Sequence, residues 1–432
     1  MKNIVCSVLC FVLVLGSFPQ VAAQGVASAN GTTLSPVIAD PDWVFLAPDT
    51  VRVQFRVESR QGFSGSARLC LKVTTDDYVP VREMSVGLPA GVQTITSQAF
   101  DLTGVAPGFY RCTAWVESAG KELVKTSFQV GYEPEKIVSP RDARPDFEAF
   151  WAETRRQLDQ VPMEARTESM PQYDGARQIY HVQMKSFGNV MIEGFYAVPK
   201  GGGRYPALIG FMGYGSEPYI PSPNGNADFC ELILSVRGQG IQKAKNPYGD
   251  WIVWGLERKE DYYYRGAFMD LIRGIDFLYS RPEVDTSKIV AEGGSQGGAF
   301  TLVACALDHR IKAAAPTIPF LSDYRDYFRI VPWPYRSFQT YMSRNPGRSW
   351  EDIYQLLTYF DVKNFCGLIR CPIFMSVGLQ DDVCPPHTNF SGYNLITAPK
   401  KYLVAPEQAH GVPRSWYATR MAFFREVLGL KQ

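Results

Sequence analysis

The sequence has little net charge and few histidines. Its 44 lysines and arginines almost cancel 43 aspartates and glutamates, so the formal net charge of the 432 residues is +1. That balance excludes a broad basic surface for nucleic acid or for an anionic membrane. Internal repeats and low-complexity tracts are absent, which excludes a solenoid. The chain has four histidines, so the candidates for a general base are few: His181, His309, His387 and His410.

The apolar stretch at the N-terminus is too short to cross a bilayer. Residues 4–16 form a run of about a dozen apolar residues, whereas a membrane helix needs ~20. Lys2 precedes this run, and the small residues Val21-Ala22-Ala23 follow it. This pattern predicts that residues 1–23 are a signal peptide cleaved before Gln24, and that the mature protein is periplasmic or secreted without membrane attachment.

The cysteines of the mature chain are odd in number, so they cannot all pair in disulfides within one chain. Nine are present, and seven remain when Cys6 and Cys10 leave with the signal peptide. Cys70 and Cys112 are predicted on opposite faces of their strands, where no bridge can form, so buried free thiols are expected. One group near the C-terminus has a spacing that suggests zinc: Cys366, Cys371, Cys384 and His387. A strand separates two of its members by roughly 20 Å, so neither a metal nor another cofactor is expected.

Two domains are predicted after the signal peptide. Residues 24–133 contain short runs with period-two alternation, such as Val51, Val53, Phe55 and Val57, separated by turn signals. They predict a small immunoglobulin-like β-sandwich. Such a module serves either as a packing domain, which we favour, or as a carbohydrate-binding domain. Residues 134–145 are rich in proline and charge and predict a linker.

Residues 146–432 alternate helical and strand patterns, which predicts an α/β domain with a mostly parallel sheet. Its first helix carries Phe147, Phe150, Trp151, Thr154 and Leu158 on one face. Residues 179–184 and 190–198 read as a hairpin. Five short apolar runs read as sheet strands: 207–211, 232–236, 289–291, 373–377 and 402–404. The aromatic segment 318–360 interrupts the alternation. It predicts either a lid that binds substrate or a helical insertion that buries its rings in the core or in a subunit interface.

Ser295 is the candidate nucleophile. It lies in Gly293-Gly294-Ser295-Gln296-Gly297, between the apolar run 289–291 and a predicted helix over 296–307. A serine in Gly-x-Ser-x-Gly at a strand-to-helix turn is held with its hydroxyl above the sheet. The helix directs its free N–H groups towards the reacting carbonyl.

Asp381 and His410 are the candidates for the acid and the base. A serine nucleophile needs a histidine to accept its proton and a carboxylate to orient that histidine. In α/β-hydrolases these residues follow one another along the chain in the order Ser, Asp or Glu, and His. Asp381 follows the predicted strand 373–377. His410 follows the last predicted strand, whereas His181 precedes the serine and His309 lies at the remote end of the helix. His387 is disfavoured because two prolines stiffen its loop.

The oxyanion of the reaction needs two N–H donors. One candidate is the backbone of Gln296, directly after the nucleophile. The other is Tyr214, in the glycine-rich loop Met212-Gly213-Tyr214-Gly215 after the strand 207–211.

Five motifs stand out between Pro145 and the C-terminus: Arg237-Gly238-Gln239-Gly240, Tyr262-Tyr263-Tyr264-Arg265-Gly266, Arg281-Pro282-Glu283-Val284-Asp285, Gly293-Gly294-Ser295-Gln296-Gly297-Gly298 and Gly378-Leu379-Gln380-Asp381. Together they resemble the motifs of the acetyl xylan esterase and cephalosporin C deacetylase family, carbohydrate esterase family seven. The resemblance implies an α/β-hydrolase fold and removal of acetyl groups from acetylated xylan fragments, oligosaccharides or small acetate esters.

The resemblance also implies further properties of the chain. It places the triad on Ser295, Asp381 and His410, gives Arg237 and Gln239 a supporting role near the site, and implies a homo-oligomer, often a hexamer. Two positions depart from the family pattern: Gly411 stands where glutamate follows the histidine, and Met212 where histidine precedes Gly-Tyr. Both lie beside the chemistry, so the reaction class is retained and the substrate is left open.

Other functions compete with the deacetylase. One is hydrolysis of other short acyl esters, or of peptides, by the same fold. Another is non-catalytic carbohydrate binding by the sandwich and the aromatic segment. The intact Ser-Asp-His order argues against the second.

Overall fold

The computed structural model describes residues 25–431, and the predicted signal peptide lies outside them. The described chain forms two five-stranded sheets followed by one nine-stranded sheet flanked by helices. Burial alternates along strands of the first two sheets, which each cover the other with one face, whereas central strands of the nine-stranded sheet are buried on both faces. None of the described helices is long and apolar enough to cross a membrane.

The first two sheets face each other and enclose a core of their own. The first sheet contains β1 (Ala27–Ala29), β2 (Thr32–Val37), β4 (Arg52–Ser59), β7 (Thr94–Thr96) and β8 (Phe100–Asp101). The second has the order β3 (Val44–Phe45), β10 (Lys121–Tyr132), β9 (Gly108–Ser118), β5 (Arg68–Thr75) and β6 (Pro80–Gly87). Val53, Phe55 and Val57 of β4 are fully buried between exposed or half-buried neighbours, as the alternation predicts. This unit is called the sandwich below.

The nine-stranded sheet carries the candidate site. Its order is β11 (Arg166–Ser169), β12 (Arg177–Lys185), β13 (Met191–Pro199), β15 (Cys230–Ser235), β14 (Tyr205–Phe211), β16 (Val284–Gly294), β17 (Ile311–Thr317), β18 (Ile373–Gly378) and β19 (Lys400–Ala405). Strands β12 and β13 form the predicted hairpin, and β14 to β19 run parallel. The carboxyl ends of these parallel strands therefore meet at one edge, where ligands bind in open α/β sheets.

Helices cover both faces of this sheet. They are α1 (Phe147–Asp159), α2 (Tyr263–Tyr279), α3 (Gln296–Leu307), α7 (Lys363–Cys366), α8 (Pro386–Tyr393) and α9 (Ser415–Val427). Ile289 and Ala291 of β16 join the core under α1, α2 and α3, while Val290 between them joins the core under α9. Helix α1 buries the same five residues that the periodicity predicts. The architecture is the α/β-hydrolase fold preceded by a β domain.

The aromatic segment 318–360 forms three short helices, α4 (Tyr324–Ile330), α5 (Tyr335–Arg344) and α6 (Trp350–Leu357). Ser349 and Asp352 form a capping box at the start of α6. Most of the rings of the segment belong to the main core, among them Phe320, Tyr324 and Phe338. Other rings of the segment are only partly buried against this core: Trp333, Tyr335, Tyr341, Trp350 and Tyr354.

Candidate active site

Ser295 lies at the turn between β16 and α3 with a strained backbone. Its φ and ψ angles are 58° and −120°, a backbone conformation that residues other than glycine rarely adopt. The chain is packed so closely here that a Cβ atom at Gly297 would collide with the carbonyl of Phe211, and one at Gly293 with the carbonyl of Gly297. The two outer glycines of the motif thus allow the turn, which is that of a nucleophile elbow.

Asp381 and His410 lie together at the same edge of the sheet. The Nδ1 atom of His410 is 2.9 Å from Oδ2 of Asp381. The Asp381 carboxylate is fully buried, and its Oδ1 also accepts the backbone N–H groups of Val383 and Cys384, each at 2.8 Å. A Cβ atom at Gly378 would collide with the carbonyl of Ala409, so this glycine lets the loop of His410 approach the loop of Asp381.

The carboxylate changes the protonation of the imidazole. Burial favours the neutral ring of His410, but the negative charge of Asp381 and its hydrogen bond outweigh burial and raise the pKa of His410 above the ordinary value of 6.5. A carboxylate on Nδ1 also fixes the tautomer, so that Nε2 is the nitrogen left to exchange a proton with a substrate or a nucleophile.

Cys384 is a close neighbour of the site that the sequence did not assign to it. Its sulfur lies 3.8 Å from Oγ of Ser295 and is buried. Burial raises the pKa of the Cys384 thiol, which keeps it protonated and weakly reactive at neutral pH. Within residues 25–431, no direct hydrogen bond joins Ser295 to His410. Catalytic hydrogen bonds in unliganded enzymes often tighten only when substrate binds.

The two predicted oxyanion donors come from the start of α3 and from the loop after β14. Gln296 is the first residue of α3 and is buried, with its side-chain oxygen accepting the hydroxyl of Tyr264 at 2.9 Å. Tyr214 lies in the loop after β14, and its hydroxyl donates to Asp250 at 2.8 Å. Its ring packs at 5.3 Å from that of Trp333, which stacks on Phe320 at 5.2 Å.

The Arg237-Gly238-Gln239-Gly240 motif connects these parts through hydrogen bonds of Gln239. Gln239 and Gln296 exchange side-chain hydrogen bonds of 3.0 and 3.3 Å, and Gln239 also accepts the backbone N–H of Gly215 at 3.1 Å. The Arg237 guanidinium pairs with the fully buried Asp270 at 2.7 and 2.9 Å. The motif therefore links the loop of Tyr214 to the start of α3.

The remaining histidines are engaged elsewhere. His181 bonds to Glu193 at 2.6 Å, and His309 faces the carbonyl of Leu368 at 3.2 Å. His387 lies 2.9 Å from Asp76 of the sandwich and 3.5 Å from Asp326 of α4. Burial would lower the pKa of His387, but hydrogen bonds and charges from Asp326 and Asp76 outweigh it and raise the pKa to about 10.

Two groups of side chains in the described chain have donor atoms close enough together to be considered for a metal. Asp381, Cys384 and His410 have theirs within 4.8 Å of one another, as do Asp323, Asp326 and His387. In the first group, the carboxylate and Nδ1 already satisfy each other. In the second, Lys363 lies 3.0 Å from Asp323, and His387 is itself a cation at neutral pH. Neither group is arranged as an open metal site.

Comparison with known proteins gives a consistent result. The model of the acetyl xylan esterase (AXE1) family matches residues 132–428. Acetyl esterase Axe7A of Xylanibacter ruminicola is 26% identical over an alignment 431 positions long, which covers 96% of this chain and 95% of that protein. Two crystal structures each cover 68% of this chain and 98% of their own with a TM-score of 0.64: acetyl xylan esterase 1 from Thermoanaerobacterium sp. JW/SL YS485 at 28% identity, and the acetyl xylan esterase from Paenibacillus sp. R4 at 30%.

Proposed function

Because the chain belongs to the acetyl xylan esterase (AXE1) family and is a carboxylic-ester hydrolase, we propose that it removes acetyl groups from acetylated xylan fragments or oligosaccharides with a Ser295, His410 and Asp381 triad. The observation that carries the proposal is the Asp381–His410 contact at the sheet edge where Ser295 is held on its strained turn. Ser295, Asp381 and His410 supply the nucleophile, the acid and the base that a serine esterase needs, in the chain order of the α/β-hydrolase fold.

In the proposed mechanism, Oγ of Ser295 attacks the acetyl carbonyl while Nε2 of His410 accepts the hydroxyl proton. The buried Asp381 carboxylate stabilises the imidazolium that forms. Backbone N–H groups of Gln296 and Tyr214 stabilise the oxyanion, and the dipole of α3 adds to them. His410 then returns the proton to the departing sugar oxygen, which leaves an acetyl ester on Ser295. Water, deprotonated by His410, hydrolyses this ester and releases acetate.

The surroundings of Ser295 support a small acyl group. The backbone N–H of Phe320 donates to the carbonyl of Ser295 at 3.1 Å, so the backbone of Phe320 lies beside that of the nucleophile. Trp333 and Tyr214 extend the ring of Phe320 into a contiguous aromatic wall. We propose that this wall closes the acyl side of the site, because longer chains would overlap with the rings.

Acetate release tests the proposal directly. Rates are measured on acetylated xylo-oligosaccharide, on matched acetate, butyrate and octanoate esters, and on a peptide amide. The proposal expects acetate esters to be cleaved much faster than the longer esters and the amide. Comparable rates on octanoate would indicate a general esterase, and preference for the amide a peptidase. A protein inactive on all of them would support non-catalytic carbohydrate binding.

We further propose that the protein is exported. The charge, apolar run and small residues of positions 1–23 support this proposal. N-terminal sequencing of the protein recovered from the medium or periplasm is expected to begin at Gln24. A mature chain that begins at Met1 would contradict it.

A further inference from the structure

The sandwich makes its most specific contact with the residue directly before the candidate catalytic acid. The side-chain amide of Gln380 accepts the backbone N–H of Gln129 in β10 at 2.7 Å and donates to the carbonyl of Gln129 at 3.2 Å. The same amide donates to the carbonyl of Pro406 at 2.7 Å, at the start of the loop that leads to His410. One side chain thus joins the sandwich to the loops of Asp381 and His410.

The geometry of β10 explains why the sandwich offers this contact. Strand β3 covers only the end of β10, where the N–H of Gly131 donates to the carbonyl of Trp43. Alternate residues of a strand point their backbone groups to the same side, so Gln129 presents its N–H and carbonyl next along that edge. The amide of Gln380 occupies this position and continues the hydrogen-bond ladder where β3 has ended. Both backbone groups of Gln129 on this edge are thereby hydrogen-bonded.

Further contacts hold the sandwich in place around this point. Val44 and Phe109 of the sandwich share a buried cluster with residues of β18, β19 and α8 and with Leu379, which directly follows β18: Met375, Val377, Phe390, Tyr393 and Val404. Strands β18 and β19 are those that lead into the loops of Asp381 and His410. Beyond Asp381, the sandwich residue Asp76 holds His387. The segment that carries Asp381 is therefore tied to the sandwich on both sides.

The relatives of known structure indicate what this docking contributes. Two acetyl xylan esterases align over 98% of their own length but only 68% of this chain, a share that fits the α/β domain alone. The fold can thus be built without a sandwich. The relative from Xylanibacter ruminicola aligns over 96% of this chain, so the longer arrangement is not confined to one protein.

We propose that the sandwich acts on the reaction as a positioning element, and that Gln380 is the positioning residue through which it fixes the loops of Asp381 and His410. The inference rests on the proposed function and gives the sandwich a role in it other than carbohydrate binding. Gln380 itself is not placed against the reacting atoms. Its effect is to limit the movement of Asp381 relative to His410, on which the tautomer and the charge of the base depend.

The test compares Gln380→Leu with Arg329→Ala in the full-length protein. The first variant removes all three side-chain hydrogen bonds and keeps most of the volume. The second removes the exposed guanidinium of Arg329 in α4, which pairs with Asp77 of the sandwich at 2.5 Å and with Asp326 at 3.2 Å, and leaves the three hydrogen bonds of the Gln380 side chain in place. Values of kcat and KM for a small acetate ester are measured from about pH 6 to about pH 10, and folding is checked by thermal unfolding.

For Gln380→Leu we expect kcat to fall on the order of ten-fold, with KM changed by less than about two-fold. The midpoint of the pH profile should also move to lower pH, because a looser Asp381 raises the pKa of His410 less. Arg329→Ala should retain the wild-type kcat and profile. Should Gln380→Leu not fold, Gln380→Asn carries the same expectation, since its amide is too short to reach both partners.

Each outcome bears on a separate claim. A folded Gln380→Leu enzyme with the wild-type kcat and pH profile would overturn the positioning role. An equal loss in Arg329→Ala would also overturn it, because any contact between the domains would then suffice. A wild-type protein that releases no acetate at any pH would refute the proposed function instead.

Discussion

The Nδ1 atom of His410 lies 2.9 and 3.1 Å from the two carboxylate oxygens of Asp381, a residue 29 positions earlier in the chain. This contact leaves Nε2 as the imidazole nitrogen that does not face Asp381. It gives His410 the tautomer and the orientation that a general base for Ser295 requires. The predictions below follow from it and from the contacts around it.

His410, and not His387, should be the general base. His410→Ala should lower kcat by on the order of 10³ to 10⁶, by analogy with other serine triads. His387→Ala should cost far less, because that ring is held by Asp76 and Asp326. The measurement is kcat of both variants on one acetate ester at neutral pH, with circular dichroism as the folding control. An active His410→Ala enzyme beside an inactive His387→Ala enzyme would reverse the assignment.

The pH dependence of kcat/KM should report the protonation of His410. The protonated ring cannot accept the proton of Ser295, so activity should rise with pH as His410 loses its proton. Since Asp381 raises the pKa of His410 above 6.5, the rise should lie at higher pH than for an isolated histidine. Asp381→Asn, which removes the charge, should move any residual rise to lower pH. Activity that is highest in acid would contradict this role.

His387 should stabilise the fold most at low pH. Its pKa of about 10 exceeds the unfolded value of 6.5, so the stabilisation is complete below about pH 6.5 and is lost as the pH rises towards 10. We expect the difference in Tm between wild type and His387→Gln to be largest near pH 6 and to shrink as the pH approaches 10. Comparing this Tm difference between two pH values cancels the titration of groups that both proteins share. A difference that grows with pH would show that the ring is neutral in the folded protein.

The buried pair of Arg237 and Asp270 should be needed for stability. Arg237→Met leaves the fully buried Asp270 carboxylate without its cation, which should cost about 3–5 kcal/mol of unfolding free energy. The variant Arg237→Met with Asp270→Leu should recover part of that loss, because no unpaired charge remains. Urea unfolding followed by circular dichroism measures both. A single variant as stable as the wild type would remove the supporting role assigned to this motif.

Much of the α/β domain follows from local sequence patterns. Helix α3 has the predicted bounds, 296–307, because the glycines before it and the apolar residues within it are local signals. The strands are predicted at their apolar centres but not at their ends. For β16, the prediction covered 289–291, whereas the strand runs from Val284 to Gly294. Polar residues at the ends of a strand carry no periodic signal.

Contacts between distant parts of the chain could not be predicted in the same way. The Gln129–Gln380 hydrogen bonds join residues 251 positions apart, and neither residue stands out in its own segment. The partner of Arg237 is Asp270, which lies within the apolar helix α2. Its position in that helix does not indicate which residue it pairs with. Cys384 lies beside Ser295 because the loop after Asp381 turns back towards the nucleophile. Its position three residues after the predicted acid was the one available clue.

The identity of the nucleophile is the central claim, and active-site labelling tests it most directly. A fluorophosphonate probe reacts with an activated serine, and peptide mass spectrometry locates the adduct. We expect the label on Ser295 of the wild type, with no label at that site and no acetate release in Ser295→Ala. Cys384, whose sulfur lies 3.8 Å from Oγ of Ser295, is the alternative nucleophile that the probe could label. An adduct on Cys384 or elsewhere, or a Ser295→Ala protein that releases acetate at the wild-type rate, would contradict the account.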